Sequence, residues 1–248
     1  MRKFKKLGGY LKQILVSTLG TWFYSVSRLP VGTHLEYFLK YRVNLPINTV
    51  VDVGANVGKF SVSLFRHFPK SQFYCIEPFS QTFKVLQRNI PYPNFIFSKV
   101  ALGEKNESIT IKVNPANQSD TNSLRNLTLE ADQENSELIE VITLDEFILQ
   151  NQLNRIDFLK IDTEGFDLQV LKGGIQNLNE GRIKLILVEC GLDPSNKYHV
   201  YFQELSSFLF SANFTLVGFF QTDIRKISKR HHFSNALFAH ESVLDQIG

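Results

Sequence analysis

The stretch from Thr49 to Pro78, TVVDVGANVGKFSVSLFRHFPKSQFYCIEP, constrains the fold of this chain more than any other. Val50, Val51 and Val53 make an apolar run broken by one acid, Asp52, and the chain then turns through Gly54-Ala55-Asn56-Val57-Gly58. A strand entering a tight turn follows from that pattern. Phe60, Leu64, Phe65 and Phe68 recur at helical spacing up to Pro69, so the sequence predicts a helix that starts at the turn and ends before the proline. Residues 73–76 read as a second strand closing on Glu77-Pro78. Strand, glycine turn, helix and strand with a terminal acid make a nucleotide-binding βαβ unit. Gly54 and Gly58 carry no side chain, so backbone amides at the helix start can approach a ligand. A carboxylate after the second strand accepts hydrogen bonds from both ribose hydroxyls.

The alternation continues downstream. Residues 79–90 read as a helix cut by Pro91 and Pro93, residues 95–100 as a strand, and 108–113 (SITIKV) as a half-exposed strand pairing with 138–143. Between these last two, residues 114–137 are polar and asparagine-rich. They read as a loop or flap, either an acceptor-binding element or plain surface. Residues 156–161 form a strand that enters IDTEGFD and a helix over 167–178, and 184–188 is an apolar run suited to burial on both sheet faces. A helix over 198–210 and strands at 214–220 and 236–239 complete the chain. One doubly wound α/β sheet accounts for this order, and 248 residues suffice for one large domain of that kind. The division expected is an N-terminal helical extension over 1–45 and the α/β domain over 46–248.

The turn spacing discriminates between cofactors. A dinucleotide site wants G-x-G-x-x-G to admit a pyrophosphate, whereas this turn reads G-A-N-V-G. It is similar to the E/D-x-G-x-G-x-G loop of class I S-adenosylmethionine methyltransferases, with Asn56 where the middle glycine usually sits. Further segments extend the likeness: Asp52 to Gly58 (DVGANVG), Glu77-Pro78, Ala101-Leu102-Gly103, Thr143-Leu144-Asp145, Lys160 to Gly165 (KIDTEG) and Val188-Glu189. In this order the chain resembles the FkbM-type methyltransferase family from Asn48 onward. The resemblance implies a Rossmann-like, mainly parallel seven-stranded sheet with an antiparallel closing strand. It implies that Gly54, Ala55, Asn56 and Gly58 cradle the methionine part of S-adenosylmethionine, that Glu77 beside Pro78 holds the ribose, and that Ala101-Leu102 approaches the adenine. Asp52 and Asp162 are placed in the same cofactor set, with loop bracing the alternative for Asp52.

The implied activity is O-methylation of a hydroxyl on a sugar, glycan or secondary metabolite. An alcohol is a poor nucleophile, so Glu164 or Asp162 is expected to accept its proton. The alternative is that Asp162 steadies the loop while Glu164 caps the following helix, where an acid is favourable. Asp145, Asp162 and Glu189 were weighed as ligands for a divalent cation and are assigned structural roles, so no metal site is expected. Lys160, in an otherwise apolar strand, is read as the partner of a strand-end carboxylate. His199 flanks no recognisable nucleophile.

Charge and cysteines narrow the partners. The net charge is +3, but residues 1–28 hold six bases and no acid, leaving 21 basic against 24 acidic residues in the rest. A mildly acidic body argues against a general nucleic-acid grip, and a nucleic-acid methyltransferase is a secondary reading that lacks an N/D-P-P-Y/F motif. A nicotinamide oxidoreductase or epimerase ranks third, lacking both G-x-G-x-x-G and a Y-x-x-x-K pair, and a cofactor-binding interaction protein without catalysis is a further alternative. Phe4, Leu7, Leu11, Ile14, Leu15, Leu19, Trp22, Phe23 and Val26 make an amphipathic helix with a basic start. It is read first as packed on its own domain or a partner copy, second as a membrane-surface contact and third as a cleaved signal, on an enzyme expected to be cytoplasmic. Cys75 and Cys190 sit in apolar strands and are expected as buried free thiols.

Overall fold

In a computed structural model the described residues are 32, 34–112, 136–223 and 232–248. The expected basic N-terminal helix, nearly all of the polar stretch at 114–137 and the basic residues Arg225, Lys226, Lys229, Arg230 and His231 lie outside them.

The first described helix, α1 (Leu35–Tyr41), buries Leu35, Phe38 and Leu39, an i, i+3, i+4 face set against the main core. There follow β1 (Thr49–Val53), α2 (Lys59–Phe65), β2 (Gln72–Ile76), α3 (Ser80–Asn89) and β3 (Phe95–Ser98). Next come β4 (Ala101–Gly103), β5 (Glu107–Lys112), β6 (Ser136–Thr143), α4 (Leu144–Gln150) and β7 (Ile156–Ile161). The chain continues through α5 (Asp167–Lys172), α6 (Ile175–Asn179), β8 (Ile183–Gly191), α7 (Phe202–Ser211), β9 (Phe214–Asp223) and β10 (Phe233–His240). A 3-10 turn (Glu241–Gln246) closes it. Among the described residues no helix is long and apolar enough to cross a membrane.

Seven strands form one sheet in the order β3-β2-β1-β7-β8-β10-β9. Pairings from β3 through β8 are parallel, and β10 inserts antiparallel to both β8 and β9. The apolar strands β7 and β8 lie between neighbours on both sides and are packed on both faces, which is why they read as near-continuous hydrophobic runs. The chain leaves β1 towards β2 on one side and returns at β7 on the other. The carboxyl ends of β1, β2 and β7 therefore flank a topological switch point, where open α/β sheets bind ligands.

Three expectations are corrected. One sheet is not enough: β4, β6 and β5 form a separate three-stranded sheet in the order β4-β6-β5 around its own core of Phe79, Ala101, Ile111, Ile139 and Val141. The strand expected over 95–100 accordingly ends at Ser98, and Ala101 opens the second sheet. The helix expected over 167–178 is two helices broken at Gly173-Gly174, where the Gly173 carbonyl accepts the Asp145 N–H at 3.0 Å; position 173 must be glycine because a Cβ there would lie 2.0 Å from the Gly103 carbonyl oxygen. The end of the polar stretch is strand, not loop. Ser136 and Glu137 belong to β6, where the Glu137 carboxylate accepts the Ser80 N–H at 2.9 Å. Cys75 and Cys190 are buried free thiols, as expected.

Candidate active site

Backbone conformation builds the site first. After β1 the chain turns with Gly54 (φ 76), Asn56 (φ 50) and Gly58 (φ 86) in the left-handed region, which side chains disfavour and glycine or asparagine tolerates. A Cβ on Gly54 would lie 1.9 Å from the Asp162 carbonyl oxygen, so only glycine lets this turn seat against the loop that follows β7. The Gly54 and Ala55 N–H groups donate to the Ile76 carbonyl at 3.0 and 2.9 Å, fastening the turn to the end of β2.

Glu77 completes that fastening. Its Oε2 accepts the Asn56 N–H at 3.0 Å and its Oε1 accepts the Phe79 N–H at 3.1 Å. Burial pushes its carboxyl up to about 7, against the pull of those two amides. Each oxygen retains acceptor capacity towards a cleft lined by Gly54 and Asn56 from the turn, by Ile76, Pro78 and Phe79 beyond β2, and by Val100, Ala101 and Leu102 at β4. Asp162, Thr163 and Glu164 form its remaining wall. S-adenosylmethionine fits this donor set. A buried carboxylate with free lone pairs suits a ribose diol, and the apolar walls of Ile76, Phe79, Val100 and Leu102 suit a flat purine.

Three predicted cofactor residues do not line this cleft: Ala55 lines only a neighbouring one, and Asp52 and Gly58 line neither. Asp52 has no exposed surface and lies beneath the turn, accepting the Ser61 hydroxyl at 2.7 Å and pairing with Lys160 at 3.2 Å. It braces the turn because a carboxylate mid-strand has its side chain in the interior layer. Gly58 packs away from the cleft: a Cβ there would lie 2.5 Å from Ile90 Cδ1 and 2.9 Å from Leu86 Cδ1, and its N–H donates to the Ala55 carbonyl. Its glycine serves helix packing rather than ligand approach.

A second cleft adjoins the first and shares Gly54, Asn56, Asp162 and Glu164 with it. Ala55, Lys59, Phe60, Ser63, Glu36, Lys160, Gln221 and Asn235 are among its other lining residues. Between the two clefts runs the IDTEG loop. Asp167 holds it, accepting the Thr163 and Gly165 N–H groups at 3.1 Å each. Steadying the loop was expected of Asp162 and capping the following helix of Glu164; Asp167 accepts the loop amides instead, and Glu164 sits at φ 52 on the wall of both clefts. Burial, then the neighbouring Glu189 and Asp162, push Glu164 up to about 7.

Lys160 is the buried cation of the site, 3.2 Å from Asp52 and 3.1 Å from Asp162, with its ammonium 5.1 Å from the Phe60 ring centroid. Burial opposes its charge, but Asp162 and Asp52 outweigh that and raise its pKa. The cross-strand register sets up the first contact, since Asp52 and Lys160 are paired positions of β1 and β7.

The proposed cation set of Asp145, Asp162 and Glu189 is not assembled. Asp145 caps α6, accepting the Gln176 and Asn177 N–H groups at 3.1 Å. Glu189 instead meets His199, whose Nδ1 lies 3.0 Å from its Oε2, and Glu164 adjoins both, with one ligand atom of each residue within 4.8 Å of the others. Burial, then Asp162 and Asp167, push Glu189 up. Sequence reading missed His199 and Asp167. Asp167 stood in the IDTEGFD string and was legible as a first-turn acid, whereas His199 had no local signal.

The chain is 28% identical over 142 residues to "Methyltransferase 1" of Beauveria bassiana, covering 50% of this chain and 57% of that protein. It is 26% identical over 145 residues to "Hexuronic acid methyltransferase AglP" of Haloferax volcanii, covering 58% and 57%. It thus spans less than two thirds of the length of these relatives. Among solved structures, M. capricolum TrmK in complex with S-adenosylhomocysteine aligns with a TM-score of 0.45 and 11% identity, covering 78% of this chain and 62% of that one. Residues 52–216, more than half of the chain and the segment that carries both clefts' shared wall, match the methyltransferase FkbM domain; the chain belongs to that family, whose cofactor is S-adenosylmethionine.

Proposed function

We propose that this chain is an S-adenosylmethionine-dependent O-methyltransferase acting on a hydroxyl of a sugar, glycan or secondary metabolite. The observation that carries the reading is the position of Glu164 and Asp162 on the wall common to the two clefts. One cleft has the donor set for the cofactor, and the other, lined by Glu36, Ser63, Gln221 and Asn235, offers polar groups to a hydroxyl-rich acceptor. The similarity to a hexuronic acid methyltransferase supports a sugar as the acceptor class.

When bound, the cofactor supplies an electrophilic methyl group on a sulfonium, whose departure needs no proton. The protein's residues have two tasks. Glu77 and the Gly54-Asn56 turn orient the cofactor, and such positioning accounts for roughly 7–11 kcal/mol of barrier in favourable cases. Glu164 accepts the acceptor's hydroxyl proton, since a carboxyl poised at about 7 matches a general base at neutral pH. Asp162 is committed to Lys160 and orients the loop. The small-molecule acceptor enters through the second cleft.

Calorimetry tests the cofactor half: S-adenosylhomocysteine binds, Glu77→Ala weakens it, and NAD does not bind. Tight NAD binding overturns the reading. Methyl transfer from labelled cofactor to a panel of uronic acids, neutral sugars, phenols and RNA tests the rest. Label on RNA alone favours the nucleic-acid alternative, and cofactor binding without transfer to any acceptor favours a non-catalytic role.

A further inference from the structure

Glu164, Glu189 and His199 come from separate elements: the loop after β7, the end of β8 and the segment leading into α7. One ligand atom of each lies within 4.8 Å of the other two, and the His199 Nδ1 to Glu189 Oε2 separation is 3.0 Å. Two donors bound at right angles to one ion at about 2.1 Å lie roughly 3.0 Å apart, so this edge already has the dimension of a coordination polyhedron.

The surroundings set this cluster apart from a solvated acidic patch. His199 is 8% exposed and Glu189 is also 8% exposed, and the imidazole ring centroid lies 4.7 Å from that of Phe233. An imidazole joined to carboxylates inside the protein is a transition-ion donor set rather than a calcium one. The local charge also calls for a cation. Asp162, Asp167, Glu164 and Glu189 act on one another as like charges, while Lys160 is already committed to Asp52 and Asp162. We propose that Glu164, Glu189 and His199 form a binding site for a divalent transition-metal ion such as Mn²⁺ or Zn²⁺. Glu164 also lines both clefts, so the ion stands at their shared wall. One Glu164 oxygen binds it while the other faces the acceptor. The site itself does not depend on the methyl-transfer reading; its closeness to the acceptor does.

The test uses the full chain, stripped with chelator and exchanged into metal-free buffer, and titrates Mn²⁺ alone with loss of the free-ion paramagnetic signal as the readout. Saturation at one ion per chain is expected, with Zn²⁺ competing. His199→Ala and Glu189→Gln should each weaken Mn²⁺ binding by at least roughly 10–100-fold, the loss that follows removal of a metal ligand's outer-shell partner alone. Glu36→Gln, in the second cleft but outside the cluster, should leave it unchanged. S-adenosylhomocysteine titrated into the same samples reports whether each variant is folded and keeps the two readings apart. If cofactor product binds but Mn²⁺ and Zn²⁺ do not, or bind equally well to both cluster variants, the metal site is refuted and the methyltransferase reading is untouched. Should His199→Ala fail to fold, Glu189→Gln decides.

Discussion

The Asn56 N–H donates to the Glu77 carboxylate at 3.0 Å, tying the turn after β1 to the acid one strand over. That bond makes the cofactor cleft a rigid unit, and it also places a carboxylate where water is scarce. The folded pKa of Glu77, about 7, exceeds its ordinary 4.5. Below pH 4.5 both folded and unfolded chains hold the proton, and no penalty exists. Between 4.5 and 7 the folded chain binds more protons than the unfolded one, so stability of the ligand-free protein falls as pH rises through that window. The loss by pH 8 is on the order of 3 kcal/mol for this buried group. Urea unfolding at pH 5 and pH 8 should show the fall, and Glu77→Gln should flatten it while losing one of the two amide bonds at every pH. An unchanged slope in the variant would exclude Glu77 as its source.

Lys160→Met should destabilise the fold by about 3–5 kcal/mol, because it leaves Asp52 buried and Asp162 without their shared cation. Adding Asp52→Asn should recover part of that loss. A double variant as unstable as the sum of the singles would show that the two residues are energetically independent. Equilibrium urea melts of the four proteins provide the comparison.

The sequence made the βαβ unit legible because its signals are local: a valine run, a glycine turn, phenylalanines at helical spacing and an acid after the next strand. The partnership of Lys160 with a strand-end carboxylate was legible too, since a lone cation in an apolar strand has few other solutions. What stayed hidden depends on tertiary approach. At the break at Gly173-Gly174 the chain packs against Gly103 of a distant strand and its carbonyl is taken by the Asp145 N–H, so periodicity through 167–178 ran straight over it. The second sheet needed the parallel pairing of Ala101 with Val141, which no turn or hairpin signal announces. Gly58 looked like a ligand glycine because its spacing matches a cofactor loop, and only the placement of Leu86 and Ile90 shows what it makes room for. His199 meets Glu189 through a loop whose path the sequence does not encode locally.

Gly54→Ala combines two penalties. The left-handed φ of 76 costs an alanine about 1–2 kcal/mol, and its Cβ would sit 1.9 Å from a backbone oxygen that cannot rotate aside. The turn must move off the Asp162 loop, which widens the cofactor cleft. Lowered thermal stability together with weakened S-adenosylhomocysteine binding is expected, measured by scanning calorimetry and titration. Gly58→Ala strikes the Leu86 and Ile90 side-chain ends instead, so its loss should fall more on stability than on cofactor affinity. Equal affinity losses in the two variants would contradict the separation of their roles.

Glu164→Gln isolates the proposed base. Its side chain keeps the shape of the shared wall but cannot take a proton, so S-adenosylhomocysteine affinity should stay within about threefold, since the turn and Glu77 are untouched. Turnover of the acceptor should fall by about 10²–10⁴-fold, the usual worth of general-base assistance. The pH dependence carries the sharper signature. With a carboxyl at about 7 in the metal-free chain, wild-type turnover measured in the presence of chelator should rise with pH as Glu164 loses its proton and level off above neutrality. In the variant that limb should vanish and leave a flat, low rate. Asp162→Asn, by contrast, removes a partner of Lys160 and should lower stability while preserving the limb. Should Glu164→Gln retain full turnover with an unaltered pH profile, the proton must leave the acceptor by another route, and the wall between the clefts would position substrates without taking part in the proton transfer.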